Sequence, residues 1–222
     1  MARHIINGTD KADFLNGYER AVEIFGKGGA DEISGSRFSD IIHGGKGNDF
    51  IFADPGNDTV FGDAGNDTLD GSDGSDRVNG GEGNDYLSAL FGPESDRDTL
   101  SGGNGSDILE FDSHTHAIGG AGADLFAILP SLKISGETQT TIPVVDAIVN
   151  DFQDGLDKLA ISSGSALTLT DFTVQRVDAD TIRVKLYGDG FPGSGIPDHS
   201  LAGTITLNDF HGTITASDFV VF

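Results

Sequence analysis

The chain has 222 residues, 33 of them glycine and 36 of them aspartate or glutamate, and a formal charge of −23 at pH 7. A chain this acidic lacks the basic face that nucleic acid or an anionic membrane surface requires; neither is expected as a partner, and the charge favours a metal cation. The absence of cysteine excludes a disulfide framework and any thiolate metal site.

The amino terminus, MARHIINGTD, has no apolar signal-peptide core. No apolar run approaches the length of a transmembrane helix, so no membrane span is expected. From Gly8 the chain counts in nines. With aspartate set at position six, blocks begin at Gly8, Gly17, Gly26, Gly35, Gly44, Ala53, Gly62, Gly71 and Gly80. Position six then reads Asp13, Val22, Asp31, Asp40, Asp49, Asp58, Asp67, Asp76 and Asp85. Position eight reads Leu15, Ile24, Ile33, Ile42, Ile51, Val60, Leu69, Val78 and Leu87. At the chain's own apolar fraction, chance gives an unbroken apolar column of that length on the order of once in ten thousand trials. The last three residues of a block, such as Thr68, Leu69 and Asp70, are expected to form a short strand with its middle residue inward. The first six are expected to form a tight turn, which glycine permits. Two blocks complete a coil of eighteen residues, with position eight filling a thin interior between two parallel sheets. Residues 89–101, ALFGPESDRDTLS, break the period with a four-residue insertion. The pattern resumes with Asp98 and Leu100, GGNGSDILE at 102–110, the eight-residue block FDSHTHAI at 111–118, and GGAGADLFA at 119–127.

Aspartates eighteen residues apart stack on one edge of such a coil at the strand spacing of about 4.8 Å. Two carboxylates at that distance repel by roughly 1 kcal/mol in water and several-fold more in a drier setting. A hard divalent cation between them reverses the sign. Calcium accepts many oxygens, and this turn offers carboxylates and glycine carbonyls together. Metal binding is therefore expected to supply folding free energy that the sequence lacks, with the repeats disordered in its absence. A plain Gly/Asp linker would show no fixed apolar position; position eight shows one.

GGKGNDFIF, GGEGNDYLS and GGNGSDILE match G-G-x-G-x-D-x-U-x, with U apolar, at every specified position. Over residues 8–127 the chain resembles the RTX family of calcium-binding repeat proteins. The resemblance implies an all-β chain: a right-handed parallel β-roll of nonapeptide repeats over 1–127, then a β-rich C-terminal capping region over 128–222. It implies Ca2+ as cofactor, with Asp31, Asp49, Asp67, Asp85, Asp107 and Asp124 on one edge and Asp40, Asp58, Asp76 and Asp98 on the other. The carbonyls of the turns complete the ligand set, here Gly44, Gly45, Gly47, Gly56, Gly62, Gly65, Gly71, Gly74, Gly80, Gly81, Gly83, Gly102, Gly103, Gly105, Gly119, Gly120 and Gly122. Neighbouring aspartate pairs give about eight calcium sites. Val22 replaces an aspartate, so the second edge is expected to start one turn later. Phe38 and Pro55 stand where small residues are usual, though each supplies a carbonyl. His116 falls near the aspartate position of the short block. Asp13 lies in a block without the glycine pair, and a site there stays open.

DAIVNDFQDGLDKLAIS at 146–162 and the acidic, apolar ending at 218–222 are similar to segments of RTX proteins exported by type I secretion, such as the serralysin proteases. This implies an uncleaved C-terminal signal, the type I secretion machinery as partner, and a secreted, extracellular or cell-surface location. From the residues, 128–222 reads as strands at Thr141–Ile148, Lys158–Ile161, Asp171–Val177, Thr181–Tyr187, Gly203–Leu207 and Phe219–Phe222. An open coil end exposes apolar side chains and unpaired backbone, and this region is expected to cover it after Phe126.

Catalytic motifs are missing: no H-E-x-x-H, no G-x-S-x-G, no phosphate-binding loop. Glu110, Asp112, His114 and His116 form a candidate transition-metal group, read more simply as the surface of a degenerate repeat. Arg183 and Lys185 share a strand face open to an anionic polysaccharide, or only to solvent. The segments 89–97 and 188–200 are candidate recognition loops. The expectation is a secreted calcium-binding RTX module that is not an enzyme, serving secretion, folding outside the cell and attachment to cell-surface or extracellular polysaccharide. The alternative is the RTX part of a larger secreted enzyme, an alginate epimerase, protease or lipase.

Overall fold

One inward side chain per nine residues buries itself only when two blocks face each other, and the fold does this throughout. The computed structural model describes residues 3–90, 96–112, 114–129, 145–153, 156–161, 167–190, 200–208, 210, 214 and 218–221. The chain coils through β1 (His4–Asn7) and β2 (Phe14–Tyr18), β3 (Val22–Gly28) and β4 (Glu32–Ser36), β5 (Ile41–Lys46) and β6 (Phe50–Phe52), and β7 (Thr59–Ala64) and β8 (Thr68–Asp70). It continues through β9 (Arg77–Glu82) and β10 (Tyr86–Ala89), β11 (Thr99–Asn104) and β12 (Ile108–Phe111), and β13 (His116–Ala121) and β14 (Leu125–Ile128). Odd strands stack in one parallel sheet and even strands in another. Partners lie eighteen residues apart, as His4 with Val22 and Ile33 with Ile51. This is the all-β parallel roll the period implies. Among the described residues no helix is long and apolar enough to cross a membrane.

The interior is a double file of position-eight side chains. Ile24, Ile33, Ile42, Ile51, Val60, Leu69, Leu87, Leu100 and Leu109 are fully buried, each contributing about 1.5–3 kcal/mol by leaving water. The insertion lengthens one coil, so Arg77 pairs with Thr99 and Tyr86 with Ile108; the short block then steps by seventeen, Thr99 with His116. Residues 91–95 of the insertion lie outside the described residues.

Both sheets run past residue 127. β15 (Val145–Asn150) pairs parallel to β13, and β16 (Lys158–Ile161) to β14. Next come β17 (Leu167–Arg176), β18 (Ile182–Gly190), β19 (Ser200–Asn208) and β20 (Phe219–Val221). β19 joins β15 in parallel and carries β18 and β17 antiparallel, making one sheet of eleven strands; β20 joins β16, making one of nine. The expected strand at Thr141–Ile148 begins outside the described residues and runs on to Asn150, and most of the loop at 188–200 lies outside them too. Small Ala117 occupies the inward place in the short block, and Phe111, Phe126, Phe152 and Phe210 are buried. Phe152 lies 6.1 Å from Phe126 and 6.0 Å from Phe210, ring centre to ring centre. The aliphatic file thus gives way to an aromatic cluster at the C-terminal end.

Candidate metal centre

Position six lies where turn meets strand, so its carboxylate faces the neighbouring coil. Asp13, Asp31, Asp49, Asp67, Asp85, Asp107, Asp124 and Asp157 form one column. At each step an aspartate N–H donates to Oδ1 of the aspartate in the following coil, at 2.8–3.0 Å. The second column starts where Val22 N–H donates to Asp40 Oδ1, and runs through Asp58, Asp76 and Asp98 at 2.7–2.8 Å. Val22 therefore delays that edge by one coil, as its residue type implies. All ten aspartates named from the sequence stand in these two columns and are buried, 1–7% exposed. A carboxylate so far from water needs a donor or a cation at each oxygen.

Oδ1 is satisfied by the ladder. Oδ2 of Asp31, Asp49, Asp58, Asp67, Asp76, Asp85, Asp107 and Asp124 is buried with no hydrogen-bond partner. The cost appears in the acidities. Burial, opposed by the ladder hydrogen bond and reinforced by like charge in the column, pushes Asp58 and Asp67 up to about 7 and Asp76 to about 8. Burial likewise lifts Asp107 and Asp124 to about 6, against the same ladder bond.

The turns bring further oxygens to the same place. A Cβ added to Gly44 would sit 2.5 Å from Asp49 Oδ2 and 2.9 Å from the Gly62 carbonyl oxygen of the next coil. Gly62, Gly80, Gly102 and Gly119 at position one meet the carboxylates of Asp67, Asp85, Asp107 and Asp124 in the same way. At position four Gly47, Gly65, Gly74, Gly83, Gly105 and Gly122 have positive φ, and a side chain there would strike the carbonyl of the coil before. Orphaned carboxylate oxygens beside carbonyls, with no donor, are a set of hard ligands that fits a cation such as calcium.

Other expectations fare differently. Asp40 carries no orphaned oxygen: Ser36 donates to its Oδ2 from N–H at 2.6 Å and from Oγ at 2.9 Å. Asp13 joins the column with its Oδ2 held by Thr9 N–H at 2.6 Å and Thr9 Oγ1 at 2.8 Å. Thr115, not His116, takes the aspartate place after Asp98, because the short block moves the register by one residue; His116 is exposed. His114 and His116 do not share a strand face, since His114 sits in the turn before β13 at φ 78°. Among the described residues no three His, Asp or Glu side chains gather as a metal site of that kind. Arg183 and Lys185 do share a face, half-buried between inward Ile182 and Val184.

Position five was missed. Asn66, Asn84 and Ser106 N–H donate to Oδ1 of Asn48, Asn66 and Asn84 at 3.0, 2.8 and 2.8 Å. This ladder points opposite to that of the aspartates and clamps successive turns. The recurrence of Asn or Ser directly before the aspartate was its signal in the sequence.

Comparison with known proteins adds the following. Residues 25–60, 52–87 and 94–113 match the family model of the RTX calcium-binding nonapeptide repeat (4 copies). No curated protein matches the chain in sequence. Among solved structures it is similar to the AlgE6R3 subunit of the Azotobacter vinelandii mannuronan C5-epimerase, at 19% identity over 96% of this chain and 80% of that one, with a TM-score of 0.31. It is also similar to the extracellular lipase LipA of Serratia marcescens, at 16% identity over 90% of this chain and 42% of that one, with a TM-score of 0.27.

Proposed function

We propose that this chain, whose residues 25–60, 52–87 and 94–113 match the RTX calcium-binding nonapeptide repeat, is a calcium-dependent folding module and not an enzyme. The observation that carries the reading is the set of eight buried Oδ2 atoms without a donor. Bound calcium supplies the positive charge and the oxygen coordination that these atoms lack. The chain's residues do the rest. Position-eight side chains close the interior, Oδ1 atoms and position-five amides fix the register, position-one glycines let carbonyls approach the carboxylates, and position-four glycines let successive turns stack closely. Asp31, Asp49, Asp67, Asp85, Asp107 and Asp124 would hold ions on one edge, and Asp58 and Asp76 on the other.

In this reading the chain stays unfolded where calcium is scarce and folds outside the cell, after export by the type I secretion machinery. The segment at 146–162 supports that route. Attachment to extracellular polysaccharide is the remaining part of the proposal, and the outward Arg183 and Lys185 are the ground for it.

The test is circular dichroism during a calcium titration, with bound calcium measured on the same samples. Strand signal that rises with calcium, together with several tightly bound ions per chain, is expected. The same spectrum in chelator, or no bound calcium, overturns the reading.

A further inference from the structure

The eight aspartates with an orphaned Oδ2 share a second property. In each of their turns the residue at position two has positive φ: Lys27, Asp54, Asp63 and Ser72 at 64–78°, and Gly45, Gly81, Gly103 and Gly120 at 98–113°. Non-glycine residues adopt this region rarely and at a cost, so its recurrence in four of eight turns needs a reason. Three other aspartates have their Oδ2 satisfied, and there the donor is the N–H of position two. Thr9 reaches Asp13 at 2.6 Å, Ser36 reaches Asp40 at 2.6 Å, and Gln153 reaches Asp157 at 2.7 Å. None of these three residues has positive φ. With ordinary φ the N–H points into the mouth of the turn and binds the carboxylate four residues on, as a helix cap does. With positive φ the peptide is turned over, the N–H leaves the mouth, and Oδ2 is bare.

We infer that the backbone conformation at position two decides which turns accept a cation, and that Thr9, Ser36 and Gln153 close theirs with the chain's own donors. This rests on the calcium reading above. The closed turns are not scattered. Asp13 and Asp40 begin the two columns, and Asp157 ends the first among the described residues. Two further contacts support closure of that column's ends: Lys27 Nζ donates to the Gly8 carbonyl at 2.8 Å, and Gln153 Nε2 to the Gly120 carbonyl at 2.8 Å. The first column is thus bounded at both ends, and the second at its start, by turns that hold together without metal, and ions are confined to the open turns.

The test counts bound calcium per full-length chain at saturating calcium, with circular dichroism to confirm the fold. Ser36→Gly and Thr9→Gly remove the side-chain donor and admit positive φ without strain, which lets the N–H turn out of the mouth, and each is expected to bind one ion more than the parent. Ser36→Ala removes only the hydroxyl and keeps the N–H in place, so its count stays at the parental value. Parental counts in folded Ser36→Gly and Thr9→Gly overturn the inference, as does a gain in Ser36→Ala. Thr9 is exposed, so its variant decides the matter if the buried Ser36 site does not tolerate glycine. A parent that binds no calcium instead removes the reading on which the inference stands.

Discussion

The coil at β15 and β16 repeats the geometry of the coils before it but not their chemistry. In the repeat region eight turns leave a buried carboxylate oxygen bare, and in several of them the carbonyl of the next coil lies beside it. In the later coil the carboxylate oxygens of Asp151 and Asp157 all have donors from the chain. Asp157 takes Asp124 N–H and Gln153 N–H, and Asp151 takes the N–H groups of Gly119 and Gly120 at 3.1 and 2.9 Å. Lys158 pairs with Asp218 of the final segment at 3.6 Å, and the Phe126–Phe152–Phe210 cluster fills the interior. One architecture thus comes in two forms: bare carboxylates where glycine fills the turns, for which we propose a cation, and backbone donors with aromatic packing where it does not.

Removing calcium should break this contrast most completely. In chelator, β3–β14 are expected to lose their hydrogen-exchange protection, while β18 and β19 keep part of theirs. Equal loss in both regions would show that the C-terminal part has no stability of its own. Next in size is a pair of aspartate replacements. Asp67→Ala removes a bare Oδ2 and the acceptor of Asp49 N–H, in the middle of a one-dimensional array. It should bind at least one ion fewer and raise the calcium midpoint for the whole roll. Asp157→Ala should leave the ion count unchanged and cost about 1–3 kcal/mol, because Asp124 N–H and Gln153 N–H lose their acceptor. Metal analysis and denaturant unfolding in calcium separate the two; matching ion losses would mean that the last coil is a metal site after all.

The smallest effect is on pH. Asp58, Asp67 and Asp76 are raised by burial from 3.8 to about 7, 7 and 8. Without metal, the folded roll therefore holds more protons than the unfolded chain between those limits. Its stability is greatest at low pH and is lost as pH rises through 7 to 8. Protons and calcium compete for the same oxygens. The calcium midpoint should then rise as pH falls from 8 to 5, by up to about tenfold per pH unit for each proton displaced. A midpoint independent of pH would mean that these carboxylates are ionised in the metal-free protein.

Much of this was legible because the period is local. Position eight gave the interior, position six the two columns, and Val22 the late start of the second. Glycine at positions one and four pointed to carbonyls crowding carboxylates, and the cradle at Gly44 has that form. The reading failed where the period slipped: removing one residue from FDSHTHAI put Thr115 under Asp98, a shift invisible until the strands were paired. Asp157 was hidden for a similar reason, since it follows Asp124 by thirty-three residues, outside any repeat.

The sequence alone determined the coil, its core and the charge that calls for a cation, because each depends on contacts eighteen residues apart that a nine-residue period encodes directly. The tertiary structure decided which turns are open and which closed, because that depends on the sign of one backbone angle and on where one N–H points; Lys27 and Ser36 are both polar residues at position two and go opposite ways. It also decided how the roll continues. β15 meets β19 across fifty-eight residues, as Val145 with Gly203, a pairing set by which edge lies open when the chain returns and not by any local pattern.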